Sequence, residues 1–319
     1  VKLGHVYFKW KSNPGLLMDN EKEIESYLIE NTSHLTENME KRGGGIKSIS
    51  IFEIHSEMPG HFKLEAKFDT ADSMGANFIN SCLESFAGLL PDYFHQKGIL
   101  IDEHDLDITM SILSNYTPEC LVSCVVQCPI QDLSGRGAGL EALAFAEKFR
   151  DAVKIAEKDI YRAVTHNKGI FNGVDAIVLA TGNDYRAVEA AGHAFASRSG
   201  QYSGLTSCEL SGGMFKYELT MPLAIGTVGG LTRSHPLARL SMDLLGFPDA
   251  EQLMKIAASV GLANNFSAIW SLITSGIQKG HMKMHLVNIL NALGANQEEK
   301  DAARIYFRDK VVSYRAVQD

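Results

Sequence analysis

The chemistry most legible in this chain centres on one lysine. The stretch Thr165-His166-Asn167-Lys168-Gly169-Ile170-Phe171-Asn172-Gly173 sets Lys168 between Asn167 and Gly169, and Gly182-Asn183-Asp184 follows a short way on. Between them, Asp175-Ala176-Ile177-Val178-Leu179-Ala180-Thr181 reads as a buried strand. A strand there puts Lys168 and Asp184 on loops at its two ends, one cation and one acid that can meet. Loops held by a rigid scaffold are where catalytic groups usually sit. Most lysines and aspartates on loops are merely solvated, but this pair has company. Three further unusual stretches occur: Asp72-Ser73-Met74-Gly75-Ala76-Asn77, Thr227-Val228-Gly229-Gly230, and Gly276-Ile277-Gln278-Lys279-Gly280-His281-Met282.

The elements that must position these groups can be read from periodicity. The first part of the chain reads as β-α-β-β-α-β. Val6 to Trp10 forms a strand, and Asn20 to Lys41 a helix with Ile24, Tyr27 and Leu28 at helical spacing. Arg42-Gly43-Gly44-Gly45 ends that helix. Ile49, Ile51 and Ile54 mark a second strand, and Phe62, Leu64, Ala66 and Phe68 alternate along a third. Asp72 caps a helix that buries Ile79, Cys82, Leu83, Phe86 and Leu90, and Asp107 to Leu113 is the last strand. This is a split βαβ, ferredoxin-like pattern. The second region carries a strand at Leu121 to Val126, a helix from Leu140 to about Asp159, and then the lysine segment. A helix follows from Asp184 to Ser197. Asp184 at its start also fits the blander role of a pure N-cap. Phe215 to Leu223 alternates as a strand. Leu237 to Leu245, Asp249 to Gly261 and Asn264 to Val287 read as helices, the last interrupted near Gly276 and Gly280, and a charged helix from Asn296 to Gln318 closes the chain.

Composition narrows the function classes. At 319 residues, with 45% hydrophobic and 21% charged residues, one large or two modest globular domains are expected. A net charge of −8 and a pI near 5.8 argue against a broad basic face, so no nucleic-acid partner is expected. An anionic ligand must instead meet a local cluster, for which Lys279, His281, Lys283 and His285 are candidates. No apolar run approaches the roughly 18 to 20 residues that span a bilayer. No basic-then-apolar leader opens the sequence. No membrane partner and a cytoplasmic location are the resulting expectations. Five cysteines, an odd count, suggest free thiols in a reducing compartment. Cys120, Cys124 and Cys128 fall along a β-type run, where their spacing of about 13 Å is too wide to hold one metal. No metal site is expected.

These motifs, in this order, resemble the 3-hydroxy-3-methylglutaryl-CoA (HMG-CoA) reductase family, in particular its class II branch. The resemblance covers nearly the whole chain. It implies an α+β protein: a ferredoxin-like cofactor domain over residues 1–116, a larger mixed α/β substrate domain over 117–272, and a C-terminal helical flap over 273–319. It implies two hydride transfers from NAD(P)H, first to a thioester carbon and then to the aldehyde, giving mevalonate and CoA. By resemblance Lys168 stabilises the oxyanion that each transfer builds. Asp184 pairs with Lys168, orients it and keeps it protonated. His281 matches the flap histidine that protonates the departing CoA thiolate. A lone histidine in a Gly-flanked helix is otherwise more often a surface residue. Arg162 matches the arginine that grips the distal carboxylate of the substrate. Asn172 and His285 match substrate contacts, and Asn264 stands where the family often has glutamine near CoA.

On the cofactor side, Asp72, Met74, Gly75 and Asn77 resemble the family's Asp-Ala-Met-Gly-Ala-Asn, with Ser73 replacing alanine. Asn115, Gly229 and Gly230 match further cofactor positions. The pattern is not the Rossmann Gly-x-Gly-x-x-Gly. NADH-preferring members carry an aspartate near the end of the first helix. Here the region reads Thr32-Ser33-His34-Leu35-Thr36, with Lys41 and Arg42 nearby, so NADPH is favoured over NADH. The family's Glu-Asn-Val-Gly-like segment, which carries a catalytic glutamate, has no counterpart here; the resemblance is to an N-terminally truncated member, expected to have negligible activity by itself. The resemblance further implies a homodimer with active sites at the subunit interface. The rival readings are a mevalonate-oxidising form of the same enzyme and a non-catalytic fragment that binds CoA or dinucleotide.

Overall fold

The computed structural model describes residues 1–99, 105–135, 139–274, 276–307, 310 and 312–318, with backbone alone for Arg233 and 277–284. The chain opens with strand β1 (Lys2–Trp10), which buries Gly4, Val6, Phe8 and Trp10 on one face, with His5 buried on the other. Three short helices follow where one was expected: α1 (Gly15–Asp19), α2 (Glu21–Asn31) and α3 (Ser33–Glu40). The break falls at Thr32, whose hydroxyl donates back to the Leu28 carbonyl (2.7 Å). Such back-bonding competes with helix continuation. Strands β2 (Gly45–Glu53) and β3 (His61–Asp69) form the next hairpin, with Ile54 just outside it. Helix α4 (Ala76–Gln96) and strand β4 (Leu106–Leu113) complete the unit.

The four strands form one sheet in the order β2-β3-β1-β4, every neighbouring pair antiparallel. Its register sets Lys2 opposite Phe68 at one end and Lys9 opposite His61 at the other. The helices bury Ile24, Leu28, Leu83, Phe86 and Phe94 against Phe8, Phe62 and Leu64 of the sheet. Fully burying side chains of this size stabilises by roughly 1.5–3 kcal/mol each before entropy is counted.

The second part contains strand β5 (Leu121–Pro129), helix α5 (Ala142–Lys158), helix α6 (Ile160–Ala180) and helix α7 (Tyr185–Ala196). Strands β6 (Thr206–Ser211) and β7 (Met214–Pro222) join β5 in an antiparallel sheet of order β5-β7-β6. Helices α8 (Leu231–Ser234), α9 (Pro236–Leu244), α10 (Ala250–Ile273), α11 (Ile277–Ala292), α12 (Gln297–Tyr306) and α13 (Tyr314–Gln318) follow. The interruption expected near Gly276 is present, but Gly280 lies inside α11. The single closing helix is two short ones.

The main correction concerns the lysine segment. It is neither a loop nor followed by a strand: Lys168 and residues 175–180 all lie in α6. The deciding pattern is the buried series Ala163, His166, Asn167, Ile170, Phe171, Val174 and Val178, which has helical period. Asp159 caps the helix by accepting from Tyr161 N (2.9 Å). Gly173 is there for contact, not for a turn. A Cβ on it would stand 2.7 Å from the Val260 carbonyl oxygen and 3.0 Å from the Gly261 Cα of α10. The α6 and α10 backbones therefore touch at a glycine pair.

Helix α10 also runs unbroken through Asn264, where two helices were expected. With 24 residues and a hydropathy of 1.4 over its most apolar window, it is long and apolar enough to cross a membrane by composition alone. In this fold one face of it packs on α6 and contributes Leu253, Ala257, Leu262 and Ile269 to a core shared with Phe149, Phe171, Phe215 and Tyr217.

Candidate active site

The α6–α10 pair is a rigid platform made so by buried amides. Asn265 donates to the His166 carbonyl (2.9 Å) and accepts from the Tyr217 hydroxyl. Asn167, fully buried, donates to Tyr202 Oη (3.1 Å) and Ser203 O (2.9 Å) and accepts from Leu205 N (2.9 Å). Leaving any of these buried groups unpaired costs about 1–3 kcal/mol, so α6 is fixed in rotation and height. His166 is part of the same support. Burial first, and the nearby Arg162 charge second, push its pKa down to about 3, so it is neutral and shares a 2.6 Å hydrogen bond with Thr206.

The fixed rotation decides what α6 presents outward. Lys168 and Asn172, one turn apart, are exposed on one face. Among the described residues Lys168 makes no hydrogen bond or ion pair. Arg162 is half-buried in the first turn, near Tyr217; burial holds its pKa below the usual guanidinium value. Asn264, on α10, donates to the Gly169 carbonyl (2.6 Å). Its amide nitrogen is therefore committed to holding α10 against the lysine turn.

Asp184 caps α7 and accepts from Arg186 N (3.0 Å) and Ala187 N (3.4 Å). Its carboxylate also receives both arms of the Arg186 guanidinium (3.0 and 2.9 Å). The Arg186 hydrogen bonds hold the Asp184 carboxyl below its ordinary range. The expected Lys168–Asp184 pair is thus not formed: the nearer cation is Arg186, two residues on, which the sequence reading passed over. His281 falls within α11, but its side chain lies outside the described residues. His285, one turn later, is exposed.

The cofactor-side residues do come together, from distant parts of the chain. Asp72 does not cap α4; that place belongs to Gly75, in the left-handed region at φ 78° with no side-chain cap. The Asp72 carboxylate instead accepts from Ala250 N at the head of α10 (3.0 Å). Its carbonyl accepts from Thr227 N (2.8 Å) and Val228 N (3.3 Å), and Ser73 bridges to Val228. The turn bearing Met74 and Gly75 is therefore stitched to the segment after β7 that leads into Gly229 and Gly230, both exposed at positive φ.

Asn183, which sequence reasoning missed, extends the stitch. It accepts from Gly226 N (2.8 Å) and donates to Gly226 O (3.0 Å), so the turn that presents Asp184 is tied to the same segment. Its position beside Asp184 was the available signal. A cleft beside this junction is lined by Met74, Asn115, Thr117 and Val188. The Thr117 hydroxyl is buried without a hydrogen-bond partner among the described residues, an orphan that a polar ligand in the cleft would satisfy. Asn77 is exposed in the first turn of α4.

Two expectations for the Thr32 to Arg42 region need revision. Thr32 and Thr36 are buried, and their hydroxyls bond to the Leu28 and Ser33 carbonyls. Lys41 pairs with Glu37 (2.6 Å). Ser33, His34, Glu37, Asn38, Glu40, Lys41 and Arg42 are exposed there, and Arg42 Nε donates to Asn38 O (3.2 Å). Among the described residues no cluster of His, Cys, Asp and Glu could hold a metal ion, and all five cysteines are free.

With this geometry in view, comparison with known proteins is decisive. The sequence pattern of the family described as Hydroxymethylglutaryl-coenzyme A reductase matches residues 14–286. The chain belongs to the HMG-CoA reductase family. It is 34% identical over 311 residues to the 3-hydroxy-3-methylglutaryl-coenzyme A reductase of Archaeoglobus fulgidus, across 97% of this chain and 67% of that protein. It is 34% identical over 259 residues to the probable reductase of Borreliella burgdorferi, across 81% of this chain and 57% of that protein. Among solved structures it is similar to the class II HMG-CoA reductase of Streptococcus pneumoniae bound to NADPH in open conformations. The TM-score is 0.76 and the identity 36%, over 99% of this chain and 74% of that one. A second structure of the Streptococcus pneumoniae reductase gives a TM-score of 0.78 at 35% identity, over 99% of this chain and 73% of that one. The chain thus spans only part of the length of these family members.

Proposed function

We propose that this chain carries the cofactor site and most of the substrate site of a class II HMG-CoA reductase, which reduces HMG-CoA to mevalonate and free CoA. The observation that carries this reading is the junction just described. Asp72 to Gly75, Gly226 to Val228 and Asn183-Asp184 are far apart in sequence, yet they are hydrogen-bonded into one junction, beside the cleft that Met74 and Asn115 line. In this reading the four-stranded unit is a ferredoxin-like cofactor domain, residues 117–272 form the substrate domain, and α11 to α13 form the flap. The orphan Thr117 hydroxyl lines that cleft with Met74 and Asn115, and a dinucleotide placed against it would continue over Gly75, Asn77 and the Gly229-Gly230 turn at the uncapped start of α4. A reduced nicotinamide bound there supplies the hydride.

The chain's own residues then divide the remaining work. Lys168 stabilises the oxygen on which charge develops at each transfer. Arg162 and Asn172 anchor the substrate from the same helix, and Asn264 holds the turn between them through the Gly169 carbonyl. His281, with His285 beside it on α11, delivers a proton to the departing thiolate. Asp184 serves Lys168 if its carboxylate changes partner from Arg186, and an exposed arginine is free to let go.

The same face of α6 supports a homodimer with its active site at the interface. Tyr161, Val164 and Leu179 are exposed at helical spacing around Lys168, Tyr161 at 85%. An apolar stripe of that kind around a functional lysine suits burial against a second copy. A cytoplasmic setting fits the free thiols.

The direct test is HMG-CoA-dependent oxidation of NADPH by protein made from the complete coding sequence. Mevalonate formation is the expected result, and NADPH binding without turnover would leave only the binding reading. NADPH is expected to bind more tightly than NADH, through His34 and Arg42, and the gap should narrow as salt rises. A preference for NADH in the same titration would refute that part. His281→Gln is expected to slow thioester reduction about a hundredfold, yet reduction of supplied mevaldehyde far less, because the aldehyde releases no thiolate. Equal losses on the two substrates would remove His281 from the thiol step.

A further inference from the structure

Lys2 is a buried lysine on the first residue of β1, and the reaction outlined above makes no use of it. Its Nζ donates to Thr70 Oγ1 (2.6 Å), Ser73 O (2.6 Å) and Met74 O (2.8 Å). An ammonium has three donors, and all three are taken by one six-residue turn. Thr70 Oγ1 in turn donates to Ser73 O (2.7 Å), and Ser73 Oγ donates to Thr70 O (2.8 Å). The turn so gathered contains Ala71, a non-glycine residue at positive φ (46°), a conformation that needs outside support. It ends at Gly75, where α4 begins. Lys2 also lines the cleft beside Met74 and Asn115.

We infer that Lys2 is a positioning residue for the dinucleotide: its ammonium clamps residues 70–74 into the shape that presents Met74 and Gly75 to the cofactor. It does not bind a phosphate itself, since no donor remains. The inference rests on the cofactor reading of this cleft. A neutral amine has only two donors and would release one of the three oxygens. Burial pulls the Lys2 pKa down to about 8, while Cys120 and Asp69, the titratable groups that face it, favour its charged form. The clamp therefore loosens above about pH 8. The effect on stability has the opposite sign. A lowered pKa in the folded state means the fold holds this proton less well than the unfolded chain. Through this group alone, then, stability rises between about pH 8 and 10.5.

The test compares NADPH and HMG-CoA binding by titration in wild type, Lys2→Met and Lys2→Gln, made from the complete coding sequence. Methionine fills nearly the same space without the buried charge but leaves the Met74 carbonyl without its donor, so Lys2→Met should fold with a lower Tm, and binding is read at a temperature where it is fully folded. Its Kd for NADPH is expected to rise about tenfold, with HMG-CoA affinity within about twofold of wild type. Lys2→Gln, which keeps donors but no charge, should fall between and covers a failure of the methionine variant to fold. Wild-type NADPH affinity should weaken above about pH 8, whereas that of Lys2→Met should be flat there. Wild-type NADPH affinity in both variants, or a pH profile that the substitution does not alter, overturns the clamp alone. Absence of NADPH binding by the wild type overturns the cofactor reading on which it rests.

Discussion

Replacing Lys168 by alanine is expected to lower turnover about a thousandfold while leaving the fold intact. Both halves of that expectation come from where the residue sits. Its side chain is exposed and, among the described residues, has no partner whose loss would be felt. Alanine is also the best helix former, so the exposed middle of α6 accepts it readily. The stability change should stay within about 0.5 kcal/mol. The support for the lysine is all beneath it: Asn167, Asn265 and the Gly173–Gly261 contact fix α6, and none of them touches the Lys168 side chain. Turnover measured with saturating NADPH and HMG-CoA, beside a melting curve, checks both halves. Turnover within tenfold of wild type would take Lys168 out of the oxyanion role. A large fall in Tm would show it to be structural after all.

The same residues show how far the sequence could be read. Lys168 was legible as a candidate from its place between Asn167 and Gly169, and Arg162 and Asn172 only through the resemblance to the family. Their setting was not. Gly169 and Gly173 looked like loop glycines, and the β-branched Ile177-Val178 looked like a strand. Both signals are local, and the tertiary contact of α6 with α10 overrode them. A glycine needed for close approach between helices cannot be told from a turn glycine without knowing the partner. The four-stranded sheet was better predicted, since alternation along β3 and the periodic face of α4 are strong signals that agree with each other.

What remained hidden were contacts between segments far apart in the chain. Asp72 was read as a helix cap because it stands just before α4. Its actual partner is Ala250 N, 178 residues away. Lys2 carries no motif at all, and Asn183 only its place beside Asp184. Each acts through hydrogen bonds to backbone carbonyls and amides, which any sequence can offer and no composition reveals. Asp184 was placed correctly at a helix start, but the competition between Lys168 and Arg186 for its carboxylate depends on side-chain reach rather than spacing.

The sharpest consequence of those long-range contacts is at Gly226. A Cβ there would lie 2.4 Å from Met74 N, 2.8 Å from the Ser73 carbonyl carbon and 3.0 Å from the Asp72 carbonyl oxygen. All three are backbone atoms, so no side chain can swing aside to make room. Two relaxations are open to Gly226→Ala. Residues 72–74 can move off, which breaks the 2.8 Å bond from Thr227 N to Asp72 O and strains the Lys2 clamp. Alternatively the 226 segment can retreat, which breaks its paired bonds to Asn183 and shifts the turn holding Asp184. Overpacking of this kind costs about 1–3 kcal/mol of stability. The functional cost is larger, because a displacement of about 1 Å in a positioning wall is worth on the order of a hundredfold. NADPH affinity is therefore expected to fall at least tenfold further than the loss of stability alone explains. Asn183→Ala, which releases the wall without pushing on it, should show a smaller loss of the same kind. The check is an NADPH titration at a temperature where each variant is fully folded by circular dichroism. If folded Gly226→Ala binds NADPH as wild type does, the junction of residues 72–74 with 226–228 is not the cofactor wall, and the dinucleotide must be sought elsewhere on the chain.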